Sequence, residues 1–252
     1  RALVRRVLFQ GRRAVGVEFE AGGEIHRARA RHEVLLSAGA VNSPQLLMLS
    51  GIGDNSDLAR LGIEPVAHLP GVGRHLQDHL QARLVFKTKR PITYNDVFNS
   101  PFRTLRAGVQ WALLRRGPLT VGAGQAGAFV RVMPRAERPD VQFHLITFSA
   151  DRPGEGLHKF SGFTASVCQL RPASRGSIEL ASADPRAAPR IHANYLSAPG
   201  DLEVLREAVR LARRIARTPP LADMIAEEVS PGAAADDDNA LHAFIRGTAA
   251  SI

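Results

Sequence analysis

Residues 39–53 read Gly39-Ala40-Val41-Asn42-Ser43-Pro44-Gln45-Leu46-Leu47-Met48-Leu49-Ser50-Gly51-Ile52-Gly53, and their order decides the fold. The apolar run Val34-Leu35-Leu36 just before them reads as a strand that ends in Ser37-Ala38-Gly39. Ser43-Pro44 then opens a helical run that stops at Gly51. A serine oxygen can cap a helix, and proline at the first helical position forfeits no hydrogen bond. Gly51 and Gly53 offer the φ freedom that a helix exit needs. Strand, small-residue turn and helix N-terminus in succession let backbone approach the phosphate or ring of a cofactor.

Upstream of this stretch, residues 2–9, 14–20, 25–31 and 33–37 are short strand-like runs separated by Gly11 and Gly22-Gly23. They predict a small β-meander feeding the central strand. Downstream, 54–61 reads as a second helix closed by Gly62, and 63–69 as a strand. Pro70-Gly71-Val72-Gly73 breaks the pattern. From there 83–88, 126–133, 141–148 and 163–170 read as strands, and 177–180 as the return of a hairpin after a turn at 172–176. Phe102, Leu105, Val109, Ala112 and Leu113 fall at helical spacing over 101–116. A helix over 201–217 carries Leu202, Leu205, Val209 and Ala212 on one face and an arginine stripe beside it. We read that stripe as a solvated face, with a partner or membrane face as the alternative. Residues 233–239 form an acidic loop, and a last helix starts at 240. This pattern divides the chain at 1–79, 80–200 and 201–252.

The chain has 252 residues, 44% of them hydrophobic, enough for a sizeable core. Its single cysteine, Cys168, excludes an internal disulfide and any cysteine-rich metal site. No apolar run reaches the roughly 20 residues needed to span a bilayer. We read no signal peptide and expect a cytoplasmic protein, with membrane association as a second option. The first and last residues read as cuts through a longer protein. The net charge of +9 is almost all arginine. The arginines are scattered among acids and lack an aromatic partner stripe, so we expect no nucleic-acid site.

Several motifs invite chemistry. Gly122-Ala123-Gly124-Gln125-Ala126-Gly127 spells GxGxxG, but no strand precedes it and no helix follows it. It reads as a loop, not a dinucleotide site. His75 and His79 stand four apart with Asp78 between them, and no third ligand is near, so we expect no metal. A tight turn at 70–73, held by hydrogen bonds from Asp78 and His79, is the preferred reading there. His144 and His192 fall on strand-like runs and read as core or surface residues. No GxSxG, P-loop or HExxH is present.

The whole string 39–53 resembles the second signature of the glucose-methanol-choline (GMC) oxidoreductases, at Gly39, Ala40, Ser43, Pro44, Leu46, Leu47, Ser50, Gly51, Ile52 and Gly53. Pro70-Gly71-Val72-Gly73 with Leu76-Gln77-Asp78-His79 resembles the stretch where such chains leave the flavin domain. Ser174-Arg175-Gly176 is similar to a turn that begins the family's C-terminal region. The likeness is greatest to choline dehydrogenase-like enzymes. It implies α/β plus α+β architecture: part of an FAD-binding, Rossmann-like domain with an antiparallel-sheet substrate-binding domain.

The resemblance further implies FAD as cofactor, held at Val4, Ala38, Gly39 and Ala40. The Val4 backbone would meet the adenine. It implies oxidation of a small alcohol, with the electrons passed on to oxygen, a quinone or another carrier. Choline-oxidising members tend to carry a carboxylate at the position of Gln81, which is therefore a candidate substrate residue that departs from the choline pattern. The family's N-terminal GxGxxG unit has no match in this chain, and its catalytic histidine is expected beyond Ile252, so no catalytic residue is assigned. A family-related FAD-containing lyase and a basic nucleic-acid-binding module are the alternatives.

Overall fold

The computed structural model describes residues 2–152 and 154–252. They form two compact units, one of residues up to 77 together with 174–195, the other of 78–173 and 196–252. The sequence pattern places 174–195 in the middle part, 80–200, and the family resemblance implies that 201–252 leads back to the FAD domain. In the structure 174–195 belongs to the first unit, because its strands pair with residues 74–76, and 201–252 packs within the second.

In chain order the first elements are β1 (Ala2–Gln10), β2 (Arg13–Ala21), β3 (Glu24–Arg29), α1 (Gly39–Leu49), β4 (Ile52–Gly53), α2 (Asn55–Arg60), β5 (Ala67–His68) and β6 (Arg74–Leu76). They are followed by β7 (Leu80–Thr88), α3 (Tyr94–Phe98), α4 (Pro101–Leu114), β8 (Gly124–Val130), β9 (Val141–Ile146) and β10 (Gly162–Gln169). The remainder is β11 (Gly176–Glu179), β12 (Arg190–His192), α5 (Pro199–Ala216), α6 (Leu221–Met224), β13 (Ile225–Ser230), α7 (Asp238–Thr248) and β14 (Ala250–Ser251).

The expected meander is β1-β2-β3, antiparallel throughout. The expected strand at 33–37 is absent. Those residues are irregular and Leu35 is exposed. A strand needs a ladder partner, and no described strand pairs with this segment. The signature helix α1 also starts earlier than expected, with Ala38 as its N-cap and Pro44 inside it. Ser43 does not open the helix; its Oγ accepts a hydrogen bond from the Ala38 N–H at 3.0 Å. At the other end Ser50 is buried, and its Oγ accepts from the Val7 N–H at 2.8 Å while donating to the Leu46 carbonyl at 2.6 Å. That one hydroxyl ties the end of α1 to β1.

Gly51 has φ +82°, and a Cβ there would lie 2.4 Å from the Glu64 carbonyl oxygen. Only glycine lets α1 exit into the short parallel β4-β5 pair, which is all that forms of the expected strand at 63–69. Gly53 does not have positive φ. The turn at 70–73 is closed by the Arg74 N–H on the Gly71 carbonyl at 3.0 Å and by the Ile178 N–H on the Gly73 carbonyl at 2.6 Å. Asp78 and His79, expected to hold this turn, lie in the other unit. β11 does not return on β10 as a hairpin; it sits between β12 and β6.

The second unit is a six-stranded sheet in the order β13-β7-β10-β9-β8, with β14 pairing β7. One face packs against α5 and α7 through a core that includes Leu84, Val167, Leu205, Val209, Leu241 and Ile245. These are the residues that the period-2 and period-3.6 patterns place inward. Three arginines of the α5 stripe are engaged in ion pairs, while Arg217 is exposed. Arg206 and Arg210 bind Asp238, and the buried Arg213 grips Glu228 through Nε at 3.0 Å and Nη2 at 2.6 Å. Gly124–Val130 is strand rather than loop, with no helix behind it, so this GxGxxG lacks the context of a dinucleotide site. The apolar residues Phe102, Leu105 and Leu113 of α4 are exposed.

Candidate functional site

The sequence-named residues fall in both units. In the first, Val4 lies on β1, an edge strand of its sheet, where it pairs with Phe19 beside a register shift. Edge backbone can donate to and accept from a ligand as it would a further strand. Ala38, Gly39 and Ala40 make the exposed N-terminus of α1, with Gly39 at φ +83°. First-turn N–H groups have no partner within their helix, and they lie at the positive end of its dipole. Pro44 has no N–H to give the Ala40 carbonyl, so that acceptor also lacks its usual helical donor. Donors and acceptors at one exposed helix start suit an anionic or heterocyclic group. On this observation the residues present fit a dinucleotide cofactor.

A cavity of about 930 Å³ in the first unit lies elsewhere. It is lined by Arg5, Arg6, Val7, Glu18 and Ser50 among others, and not by Val4, Ala38, Gly39 or Ala40. Its polar groups already serve one another: Arg6 and Arg27 hold Glu18, and Ser50 holds β1. The two arginines keep the Glu18 carboxyl below the usual carboxylate value, the Arg6 hydrogen bond acting most strongly and burial opposing it. We assign this cavity no chemistry.

In the second unit the sheet face opposite the helices is polar. Antiparallel register puts Arg83 across from Ser166, Gln81 from Cys168, and Ser166 from His144. Directly opposed residues share a face, so Gln81, Arg83, His144, Ser166 and Cys168 lie together. The Ser166 hydroxyl donates to Gln81 Oε1. Burial, then the nearby His79, lowers the His144 pKa and favours its neutral form. Burial, then the Asp78 charge, pushes the Cys168 thiol up to about 11, which leaves it a poor nucleophile. Burial also lowers the Arg83 pKa, and the Nη1 atom of Arg83 is buried without a hydrogen-bond partner.

β14 closes this edge. Ala250 sits across from Gln81 and Ser251 across from Leu80. Asp78 accepts from the Ser251 hydroxyl at 2.6 Å and from the His79 N–H at 2.8 Å, while the Ile252 N–H donates to the His79 carbonyl at 3.2 Å. So Asp78-His79 fixes the path of the chain at 250–252, a role the sequence reading missed. His75 has φ +62° on β6, and His79 lies in the other unit. Their spacing of four is not helical and gives no shared face. Among the described residues no cluster of three His, Cys, Asp or Glu side chains could hold a metal. His192 is exposed on β12. The sequence reading also missed Arg83, Ser166 and His144 as one surface. The polar Gln81 and Arg83 alternating with Ala82, Leu84 and Phe86 was the available signal.

The architecture is mixed α/β, with antiparallel sheets in both units and one polar sheet face in the second. Two models of one family, GMC oxidoreductase, match residues 1–81 and 172–252. The chain belongs to the GMC oxidoreductase family. It is 41% identical over 249 residues to the mitochondrial choline dehydrogenase of Mus musculus, covering 99% of this chain and 42% of that protein. It is 39% identical over 246 residues to the oxygen-dependent choline dehydrogenase of Brucella ovis, covering 98% of this chain and 45% of that protein. The chain thus spans less than half the length of the curated relatives it matches. A formate oxidase crystal structure superposes with a TM-score of 0.91 at 24% identity, covering 99% of this chain and 49% of that one. A fungal aryl-alcohol oxidase does so with 0.79 at 25% identity, covering 98% and 49%. The formate oxidase match carries the fold alone. The comparisons support neither the lyase nor the nucleic-acid alternative. Among the described residues no helix is long and apolar enough to cross a membrane.

Proposed function

We propose that this chain is part of an FAD-dependent oxidoreductase acting on CH–OH groups, which oxidises a small alcohol to an aldehyde or ketone. The observation that carries the reading is the match of one family's models to both ends of the chain, 1–81 and 172–252. The first match holds the exposed start of α1, and the second holds the strand β14 laid along β7.

FAD, when bound, supplies the acceptor for the hydride leaving the alcohol carbon. The rest concerns this chain's own groups. Val4 offers edge-strand backbone to the adenine. Ala38 caps α1, and Gly39 and Ala40 present helix-start N–H groups, whose partial positive charge favours an anionic cofactor. Gln81 faces the alcohol. It can orient a hydroxyl by hydrogen bonding but cannot attract a cation as a carboxylate would. A histidine base following Ile252 would enter beside His79 and Gln81, because the Ser251–Asp78 and Ile252–His79 hydrogen bonds lay β14 there. Electrons then pass to oxygen, a quinone or another carrier. We place the protein in the cytoplasm, a reducing setting that a single buried cysteine suits.

The test is the full-length protein that carries this chain. It should purify with a flavin spectrum that bleaches anaerobically on adding an alcohol. Residues 1–252 expressed alone should neither retain FAD nor oxidise alcohols. A full-length protein free of flavin, or one that no alcohol reduces, would overturn the reading.

A further inference from the structure

We propose that Arg83 is an anion-reading residue, and that the alcohol this protein oxidises carries a carboxylate or similar planar anion near its hydroxyl. The inference rests on the reading above, in which Gln81 faces the substrate. Arg83 is the next residue on the same face of β7, about 6.6 Å further along at a strand rise of about 3.3 Å per residue. Ser166 lies across from it, and His144 beyond Ser166.

The face offers Arg83 no counter-charge. The side chains sharing it from β10 are Thr164, Ser166 and Cys168, and those from β9 are Gln142, His144 and Ile146. β14 contributes Ala250. The acid on this side of β13, Glu227, lies at Lys87 and binds Lys87 Nζ at 3.1 Å. Glu228 belongs to Arg213, and Asp78 is engaged by Ser251 and by the His79 N–H. Among the described residues Arg83 makes no ion pair. By contrast Arg6, Arg74, Arg206, Arg210 and Arg213 are all paired.

A half-buried guanidinium with one nitrogen sealed from solvent and unbonded is costly to keep. An incoming carboxylate would supply the missing acceptor, in the forked geometry a guanidinium favours. The same charge opposes a quaternary ammonium at this distance, and Gln81 offers such a cation no compensating carboxylate. The charge of this face therefore favours a hydroxy acid over choline.

The experiment uses the full-length flavoprotein with three alcohols of matched length: a hydroxycarboxylate, its uncharged alcohol analogue, and choline. Flavin reduction should be fastest with the hydroxycarboxylate and slowest with choline. Arg83→Gln should lower kcat/KM for the hydroxycarboxylate by about 10- to 100-fold, mainly through KM, and leave the uncharged alcohol within about threefold. Arg83→Lys should recover part of the loss. The guanidinium NMR signals of Arg83 should shift on titration with the hydroxycarboxylate and not with choline. Equal oxidation of choline by the wild type, or an Arg83→Gln variant that slows all three alcohols alike, would overturn the proposal. If no alcohol reduces the flavin while the Arg83 signals still shift, the oxidoreductase reading fails and the anion site stands.

Discussion

Replacing Gly73 with alanine tests the packing that links the two matched ends of the chain. A Cβ on Gly73 would lie 2.3 Å from the Ile178 carbonyl oxygen and 3.3 Å from Met48 Cε, and the residue holds φ +75°. The Ile178 N–H also donates to the Gly73 carbonyl at 2.6 Å. The backbones of 73 and 178 are therefore pressed together with no room for a methyl. The left-handed φ alone costs alanine about 1–2 kcal/mol. Pushing the strands apart forfeits a hydrogen bond worth about 0.5–1.5 kcal/mol. The sum is about 1.5–3.5 kcal/mol, before any loss of Met48 contact with Ile178. The informative assay is hydrogen exchange at the Ile178 amide, which reports opening at this contact rather than global unfolding. Its protection should fall roughly 10- to 400-fold. Gly71 is the control, since a Cβ there meets nothing within 4 Å, and Gly71→Ala should change little. Equal protection in the two variants would falsify the close-approach argument.

Arg213→Ala removes both arms from Glu228 and the donors to the Ala235 and Gly232 carbonyls, and leaves a carboxylate largely out of solvent. It should cost about 3–5 kcal/mol in denaturant unfolding of the second unit, and a loss below 1 kcal/mol would refute that accounting. Glu18 has a carboxyl held below its ordinary value of 4.5, chiefly by the Arg6 hydrogen bond. Its stabilisation of the β1-β2-β3 sheet is present above pH 4.5 and is lost as pH falls through the lowered folded value. Amide exchange in β2 should show this acid loosening, and Glu18→Gln should abolish it. Cys168, with its thiol pushed up to about 11, should resist an aromatic disulfide reagent at neutral pH in the native protein and react on unfolding; prompt native labelling would contradict its burial.

Much of the fold was legible because it is written in short-range patterns. The meander follows from Gly11 and Gly22-Gly23, and α5 from Leu202, Leu205 and Val209 at helical spacing. What failed was what depends on distant partners. The run Val34-Leu35-Leu36 has strand composition, yet 33–37 forms no strand because no described strand pairs with it. β13 and β14 escaped notice because they are polar or very short, and exist only as edges added to β7. Ser43-Pro44 looked like a helix start because both residues favour one, but α1 begins at Gly39. The arginine stripe of α5 looked solvated because Asp238 and Glu228 are far away in sequence. At the candidate sites, residue types could be named from the signature and from β7. The shared face of Arg83, Ser166 and His144 required the register of three strands.

That register also explains how one scaffold can host different charges at its polar face. On β7 the even positions Ala82, Leu84 and Phe86 belong to the core packed with the helices, while Gln81 and Arg83 point to the opposite face. Changing an odd residue changes the field over the face without opening a cavity beneath it. The two ledgers, stability and recognition, are separated by the two-residue period of a strand. A carboxylate at 81 with a neutral residue at 83 gives a face that attracts cations. Gln81 with Arg83 gives one that attracts anions, on the same backbone and the same core. The sign of charge that the face prefers is therefore open to reversal by exchange of these two side chains alone. Gln81→Glu combined with Arg83→Gln should shift discrimination towards choline in the full-length protein, read as the ratio of kcat/KM for choline to that for a hydroxycarboxylate; an unchanged ratio would refute the argument.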